Sequence, residues 1–538
     1  MPSTLAEKSL RLVTCGSLFV LLMGALITMH YGIDNLNLIQ VFSADEAFAV
    51  KNVTMNLENN DLDPRGAYNY GYVVHSLNVL ITSTFKAAGF NVEPRLIVYV
   101  FRMISLVSFS CLLAVAYKMM NSLMADRHLA GLSALFLAST PSLYYYAQYT
   151  NPDMMQAFLI TASLFVACSH QTARGALVAS AVAGLAFGTK YSGVFVLPFL
   201  FLPYYLSCLG ETNPKTKKDR SSTSYIRPLR IFGLMILVFL AMYLASNPYV
   251  LTNFSALQED LAFERQHVGR GHGQAEAANP FLWFSLLGDE FKVIGSILMV
   301  LGILAFLFFL VQRNKTFREL FGSAVNRTGL TLFLFAAFSL IYLMVAVNMR
   351  RPRYFFHILP VIVILGFWGM QELLQMLNEK WRTVGRGALL LCILPLTWGA
   401  VKSTAHISDR YHHQYVKASQ WIEANYPPDV RILADSYSYQ SPRFTQYQPV
   451  FGVNPRVINQ VQPQLIILNR TMSGRWSWKQ EGSTFTDGKF RLGRADNAQA
   501  YFQFHQQLFS ETSPFGVVYE TENVVILERK PESDQSSP

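Results

Sequence analysis

Charged residues are scarce in this chain of 538 residues. They make up 14% of it, against 51% hydrophobic residues, and the mean hydropathy is positive. Soluble globular proteins carry a much larger share of charge. The composition therefore excludes an ordinary soluble domain and predicts a polytopic membrane protein.

Cysteine is equally scarce, and none lies after residue 402. Neither a disulfide framework nor a thiolate zinc site can be read from the pattern. The chain also lacks a nucleic-acid motif and a surface of interleaved basic and aromatic residues. We therefore attribute the net charge of +10 to membrane topology and contact with membrane lipids, and we exclude nucleic acid as a partner. The five cysteines all fall in predicted spans: Cys15, Cys111, Cys168, Cys208 and Cys392.

Long apolar runs recur through the first 402 residues. Each has roughly 17 to 25 residues, enough to cross a hydrocarbon core of ~30 Å, and together they predict about eleven membrane spans. The spans lie at 10–30, 95–117, 129–147, 153–169, 174–190, 191–209, 230–246, 292–311, 329–347, 355–375 and 387–402.

Lysine and arginine concentrate in alternate loops, as they do in loops that face the cytoplasm. Lys8 and Arg11 precede the first span, and every even-numbered span returns to a basic loop. We therefore predict a cytoplasmic N-terminus and outer loops at 31–94 and 247–290. The Gly and His residues of the second outer loop are typical of a mobile lid.

Hydrophobicity falls after residue 402 to that of a soluble domain. Helical spacing at 408–425 precedes short β-like runs, which is the pattern of a small α/β unit. These runs lie at 430–434, 464–468, 516–519 and 523–527. We predict a mainly α chain with a membrane domain at 1–402, an extracytoplasmic α/β domain at 403–530 and a disordered tail at 531–538.

Four motifs occur in order along the membrane part. They are Asp45-Glu46, Tyr149-Thr-Asn-Pro-Asp153, Gly184-Leu-Ala-Phe-Gly-Thr-Lys190-Tyr-Ser-Gly and Arg351-Pro-Arg353-Tyr-Phe-Phe-His-Ile-Leu-Pro360. Their order and spacing resemble the membrane glycosyltransferases that use polyprenyl-phosphate sugars and have the GT-C fold. That group includes protein O-mannosyltransferases and lipid A aminoarabinose transferases. The loop Phe263 to Gly273 also resembles a loop of its bacterial members.

The resemblance implies an inverting transfer of a hexosyl or pentosyl group at the outer face of a bacterial inner membrane. Asp45 would be the base that takes the proton from the acceptor hydroxyl, with Glu46 beside it. The plainer reading of Asp45 is a cap of the following helix. Asp153 is a second acidic candidate, either orienting the acceptor or binding a metal, or only partnering a helix dipole.

Four cations are candidates to bind the donor phosphate, because positive charge stabilises the phosphate as it leaves. Lys190 stands between apolar segments, where an unpaired charge is costly. Arg350, Arg351 and Arg353 cluster on the side where positive charge is disfavoured. Snorkelling at the membrane surface would explain one or two of them, but not a cluster.

Three histidines of the outer loops, His75, His267 and His272, are candidates for loop contacts to sugar or metal, although lone loop histidines are more often neither. No compact ligand cluster settles whether a divalent metal is needed, and no other cofactor is indicated. Arg102 lies inside the second span and needs a buried partner. Asp45, Glu46, a serine or a backbone carbonyl would each serve.

The predicted partners are a polyprenyl-phosphate-linked sugar and a glycan, lipid or protein acceptor. One alternative is a glycan ligase or polymerase that uses a diphosphate carrier. Another is a transporter of lipid or solute, but the chain has no convincing inverted repeat and no pair of broken helices.

Overall fold

A computed structural model shows a predominantly helical chain with one small sheet near its C-terminus. The residues described are 5–30, 33, 44–65, 68, 72–210, 223–270, 280–313, 317–348, 351–435, 438, 441, 443–450, 453–469 and 498–531. Within these ranges the side chains of some helical residues, including Asp45 and His267, are not described.

Nine of the described helices lie before residue 222 and ten lie after it. The first nine are α1 Leu5–Thr28, α2 Ala44–Asn59, α3 Tyr72–Ala87, α4 Pro94–Met124, α5 Arg127–Ala138, α6 Pro141–Tyr146, α7 Pro152–Ser169, α8 Ala173–Thr189 and α9 Leu197–Gly210. The other ten are α10 Thr223–Ser246, α11 Tyr249–Thr252, α12 Phe254–Arg270, α13 Leu282–Arg313, α14 Phe317–Gly322, α15 Ala324–Ala346, α16 Leu359–Gln375, α17 Glu379–Asn425, α18 Pro455–Val461 and α19 Ala498–Leu508. Short 3-10 turns precede α9 at Tyr191–Val196 and α16 at Pro352–Phe355.

Eight helical segments in the described part of the chain are long and apolar enough to cross a membrane. Three further helices, α5, α8 and α16, are apolar but shorter, and they stand where the sequence predicts the third, fifth and tenth spans. The multi-pass character is confirmed, whereas the predicted count of about eleven spans is not.

Helix α13 is longer than the span predicted at 292–311. It begins at Leu282 and is broken at Lys292, whose φ of 55° and ψ of 177° are not helical. Beyond the break, α13 packs tightly on α16 because glycines meet there. A Cβ on Gly302 would overlap the carbonyl of Gly366, and a Cβ on Gly369 would overlap the carbonyl of Gly302.

The first outer loop is largely helical. Helices α2 and α3 pack on the first half of α4 and form a small hydrophobic core of their own, with Val53, Val79 and Phe101 buried in it. The amphipathic pattern at 70–81 predicts a helix at the interface, and α3 begins there. This core fixes the start of α2, where the acidic pair lies, against a membrane helix.

Helix α17 continues without a break from Glu379 to Asn425. The domain boundary predicted at 402/403 therefore falls inside one helix. Hydropathy changes there because the surroundings change, while the backbone runs on. The division into domains remains a prediction.

The sheet has five strands: β1 Ile432–Asp435, β2 Tyr447–Val450, β3 Leu465–Asn469, β4 Phe515–Glu520 and β5 Val524–Arg529. Their order is β2-β1-β3-β5-β4. The first three strands are parallel, and β5 runs antiparallel to both β3 and β4. Four strands overlap the β-like runs of the sequence, while β2 was not predicted. Of the predicted tail, only Pro531 is among the described residues.

Asp435 ends β1 in a fully buried position. Its Oδ1 accepts a hydrogen bond from the Val453 N–H at 3.1 Å, and its Oδ2 accepts one from the Asn469 N–H at 3.2 Å. Burial raises the pKa of this carboxyl from 3.8 to about 7, although the two backbone donors lower it. The carboxyl thus links the segment that follows β2 to the last residue of β3.

This raised pKa predicts that the sheet becomes less stable as pH rises from about 4 to about 7. In that range the folded state binds a proton that the unfolded state has lost. Above pH 7 the stability that the bound proton contributes is fully lost. Limited proteolysis of the sheet during thermal unfolding measures it. Asp435→Asn should remove this pH dependence, and the exposed control Asp429→Asn should keep it; an equal slope in both variants would contradict the prediction.

Candidate active site

The acidic pair at the start of α2 is anchored by Glu46. Its carboxylate is completely buried and receives Nε and Nη2 of Arg102 at 3.0 and 2.9 Å. It also accepts the Thr150 N–H at 2.7 Å. Arg102 donates further to the Met29 carbonyl at 2.6 Å. Glu46 is therefore the partner that Arg102 requires, and it ties α2 and α4 to the segment before α7.

This ion pair bears on the predicted catalytic role of Glu46. A carboxylate that already accepts three N–H groups at close range is committed to holding structure, because giving up a buried partner is costly. The geometry therefore favours a positioning role for Glu46. Its neighbour Asp45 lies in the first turn of α2, and the side chain of Asp45 is not described.

Asp153 stands in the first turn of α7. The helix starts with Pro152, and the Asn151 side chain caps it by accepting the Asp153 N–H at 2.7 Å. The Asp153 side chain is 3% exposed, and its Oδ1 receives Lys190 Nζ at 2.5 Å. Its Oδ2 has no hydrogen-bond partner in the described part of the chain.

Lys190 follows the last residue of α8 with an extended backbone. The glycines of its motif allow α8 to approach α10. A Cβ on Gly184 would overlap the Phe239 carbonyl, and one on Gly188 would overlap the Asn247 amide. Lys190 Nζ also lies 4.9 Å from the centre of the Tyr354 ring. The lysine is 2% exposed, and the carboxylate of Asp153 compensates its charge.

Asp153, Lys190 and Arg353 line one pocket, together with the aromatic residues Tyr191 and Tyr354. Its volume is about 20 Å³, room for about one water molecule. The three charged side chains carry one negative and two positive charges. The lining therefore has an excess of one positive charge, while the carboxylate of Glu264 lies beside it, and Asp153 Oδ2 has no hydrogen-bond partner among the described residues.

The second outer loop closes this pocket. Val268 of α12 lines it, and its carbonyl accepts the Asn348 N–H at 2.9 Å. Glu264, one turn earlier, accepts from the Tyr191 hydroxyl at 3.5 Å. The described part of the outer loop predicted at 247–290 contains α11, α12 and the start of α13, and α12 reaches the site.

Tyr68 joins the two outer loops. Its ring packs with Tyr243, Val250 and Leu257. Its hydroxyl donates to Asp63 Oδ1 at 2.9 Å and accepts from Asn253 Nδ2 at 2.7 Å, while its N–H donates to Asp260 Oδ2 at 3.0 Å. We call this set the Tyr68 clasp. It couples the loop that contains Asp45 to the helix that closes the pocket.

None of the other predicted residues whose side chains are described lines this pocket. Arg351 is described but does not line it, and Arg350 and His272 lie outside the described residues. His75 is buried on α3, where its Nε2 and Asn56 Oδ1 are 2.9 Å apart. Burial lowers the pKa of His75 to about 4, so the ring is neutral. His267 belongs to α12, without a described side chain.

Sequence reasoning missed several pocket residues. Gln156 lies one helical turn after Asp153, and its Nε2 donates to the Lys190 carbonyl at 2.8 Å. Tyr354 and His357 belong to the arginine motif and could have been found from it. Ser339 lies inside an apolar span and gave no signal. No group of three or more His, Cys, Asp or Glu side chains suited to a metal ion occurs among the described residues.

The dolichyl-phosphate-mannose-protein mannosyltransferase family matches residues 17–253. ArnT from Cupriavidus metallidurans, solved with undecaprenyl phosphate bound, superposes with a TM-score of 0.53 at 12% sequence identity, covering 99% of this chain and 100% of that one. This chain has the GT-C fold. The fold resemblance inferred from the motifs is confirmed.

The apo structure of the same ArnT gives a TM-score of 0.50 at 12% identity, covering 97% of this chain and 98% of that one. No curated protein sequence matches the chain significantly. The family match covers Asp45, Glu46, Asp153 and Lys190 but ends before Arg353. Together, the family match and the GT-C fold indicate a membrane glycosyltransferase.

The Tyr68 clasp predicts that Tyr68→Phe loosens α12. The change keeps the ring but removes one of the two donors to Asp63 Oδ1, which retains the Arg65 N–H, and leaves Asn253 Nδ2 without its acceptor. We expect a loss of about 1–3 kcal/mol. Hydrogen exchange of Phe254–Arg270 should therefore become faster. The control is Tyr117→Phe, a change toward the C-terminal end of α4. Exchange in α12 that is the same in both variants would show that the clasp does not hold the helix.

Proposed function

We propose that the protein transfers a sugar from a polyprenyl-phosphate carrier to an acceptor of the cell envelope. The reaction takes place at the outer face of a bacterial inner membrane. The observation that carries this proposal is the pocket in which the Asp153–Lys190 ion pair and Arg353 meet. The undecaprenyl phosphate bound to ArnT, which shares the fold, supports a lipid phosphate as the carrier.

The pocket has the charge that such a donor needs. When the sugar leaves, the carrier phosphate changes from a diester to a monoester and gains negative charge. Lys190 is paired with Asp153, and Arg353 adds a planar guanidinium that can bind two phosphate oxygens. Positive charge held in a buried site stabilises this leaving group more than it would in water.

Asp45 is the proposed base. The acceptor oxygen attacks the anomeric carbon, the bond from that carbon to the phosphate oxygen breaks, and the acceptor proton passes to the Asp45 carboxylate. The electron pair of the broken bond leaves on the polyprenyl phosphate, and the anomeric configuration inverts. Support comes from Glu46, which fixes the adjacent residue through Thr150, three positions before Asp153.

Substrate entry requires the pocket to widen, because about 20 Å³ does not hold a sugar. Helix α12 is the element that we expect to move. It contacts the pocket through Val268 and Glu264, at one backbone hydrogen bond and one long side-chain hydrogen bond. Closure over a bound donor would exclude water and so favour transfer over hydrolysis.

The decisive experiment removes the base and keeps the donor site. Asp45→Asn should abolish envelope glycan modification, seen by mass spectrometry of glycans from complemented cells, because it removes a proton acceptor without changing size. The purified variant should still bind undecaprenyl phosphate in a thermal-shift assay.

Glu58→Gln, at the exposed far end of the same helix, is the matched control and should keep both properties. Stronger binding of undecaprenyl diphosphate than of the monophosphate would favour the ligase alternative. Near-normal modification with Asp45→Asn would remove Asp45 from the base role.

A further inference from the structure

A second cavity lies at the end of the helices opposite the candidate active site. The residues that line it come from the start of α1, the α4–α5 turn, the end of α16 and the start of α17. The length of helix α16 separates this cavity from the active-site pocket. It begins two residues after His357, a residue of the active-site pocket, and ends at Gln375 in this cavity. Seventeen residues of helix span ~25 Å, close to the thickness of a hydrocarbon core.

This cavity is large and polar. Its volume is about 360 Å³, against about 20 Å³ for the active-site pocket. It lies where several apolar helices end, which is the level of the lipid headgroups. The positive-inside pattern of the sequence assigns this level to the cytoplasmic leaflet.

Its two acidic groups, Glu7 and Asp126, share one guanidinium, that of Arg386. Arg386 Nη2 lies 2.6 Å from Asp126 Oδ2, and Arg386 Nη1 lies 3.7 Å from Glu7 Oε1. Asp126 also caps α5 by accepting the N–H groups of His128 and Leu129 at 3.0 and 3.1 Å. Both carboxylates are thus occupied by partners inside the protein.

Two guanidinium groups remain without a carboxylate. Arg127 is exposed and makes no side-chain hydrogen bond or ion pair in the described part of the chain. Arg382 donates to the carbonyls that end α16, those of Leu374, Gln375 and Leu377, at 3.2–3.3 Å. These acceptors carry no formal charge. The five charged side chains that line the cavity, three arginines and two carboxylates, therefore sum to one net positive charge.

Gln371 adds a polar group to the wall. It is 5% exposed, and its Nε2 donates to the Met124 carbonyl at 2.9 Å. Its Oε1 has no partner among the described residues. A buried acceptor without a donor is costly, and a hydroxyl of a bound headgroup would supply the donor.

We propose that this cavity binds the headgroup of an anionic phospholipid, such as phosphatidylglycerol. The phosphodiester faces Arg127 and Arg382, and a headgroup hydroxyl serves Gln371. A lipid is the source favoured over free phosphate because the site opens at helix ends at headgroup level, where basic pockets between membrane helices bind anionic lipids. The bound lipid would brace α1, α5, α16 and α17 against one another.

The test uses the full-length protein in an uncharged detergent and measures thermal unfolding with added phosphatidylglycerol, phosphatidylcholine or inorganic phosphate. Phosphatidylglycerol should stabilise the wild type most. Arg127→Gln should weaken its apparent affinity about fivefold, the effect of one guanidinium near an anionic headgroup. Arg382→Gln should act in the same direction.

Arg230→Gln, an exposed cation outside the cavity on the same predicted face, is the control and should keep wild-type affinity. Equal stabilisation by phosphatidylcholine would overturn the proposal, as would unchanged affinity in Arg127→Gln. Equal stabilisation by inorganic phosphate would overturn the assignment to a lipid. None of these readouts depends on glycosyl transfer.

Discussion

The ion pair between Asp153 and Lys190 is the constraint on which the candidate site depends. Both side chains are almost fully buried, at 3% and 2% exposure. Removing two charges from water costs several kcal/mol each, and their attraction repays this only in good geometry. The glycines that bring α8 against α10, and the cap that starts α7, provide that geometry. The remaining oxygen of Asp153 has no hydrogen-bond partner among the described residues and lies in the pocket that Arg353 also lines.

A second buried pair, Glu46 with Arg102, places the first outer loop relative to this pocket. Because Glu46 also accepts the Thr150 N–H, a displacement of α2 would shift the segment that precedes α7. The Tyr68 clasp links the same loop to α12, which covers the pocket. Loops that carry functional residues are usually mobile. Here the Glu46–Arg102 ion pair, the Glu46–Thr150 hydrogen bond and the Tyr68 clasp limit that mobility.

The sequence predicted the residues of the pocket better than their roles. Asp153, Lys190 and Arg353 stand out because a charge in an apolar setting is conspicuous, and the structure brings all three together. The role of Glu46 could not be distinguished from that of Asp45 by sequence, because two adjacent acids have the same local pattern. Only the tertiary contact with Arg102, 56 positions later in the chain, shows that Glu46 is the one in the ion pair. Ser339 is hidden in an apolar run, because its burial depends on neighbouring helices.

Strand β2 was missed for a related reason. It contains Gln448 and Pro449, which break a β pattern, and it is tolerated because it lies at the edge of the sheet. The boundary predicted at 402 remains a prediction, but it falls inside α17. Hydropathy reports surroundings, and one helix can pass from apolar to polar surroundings without a break. Local composition thus predicted the elements, and only tertiary contacts show which charges pair.

The most direct test is a double-mutant cycle on the central pair, with undecaprenyl phosphate binding and thermal stability measured for each variant. Lys190→Met alone should be strongly destabilised, because it leaves Asp153 buried without a cation. Adding Asp153→Asn should restore most of the stability. Binding should stay at least tenfold weaker than in the wild type, because the cation that we propose for the donor phosphate is gone. A double variant with both wild-type stability and wild-type binding would contradict the account, since the pair would then serve packing alone.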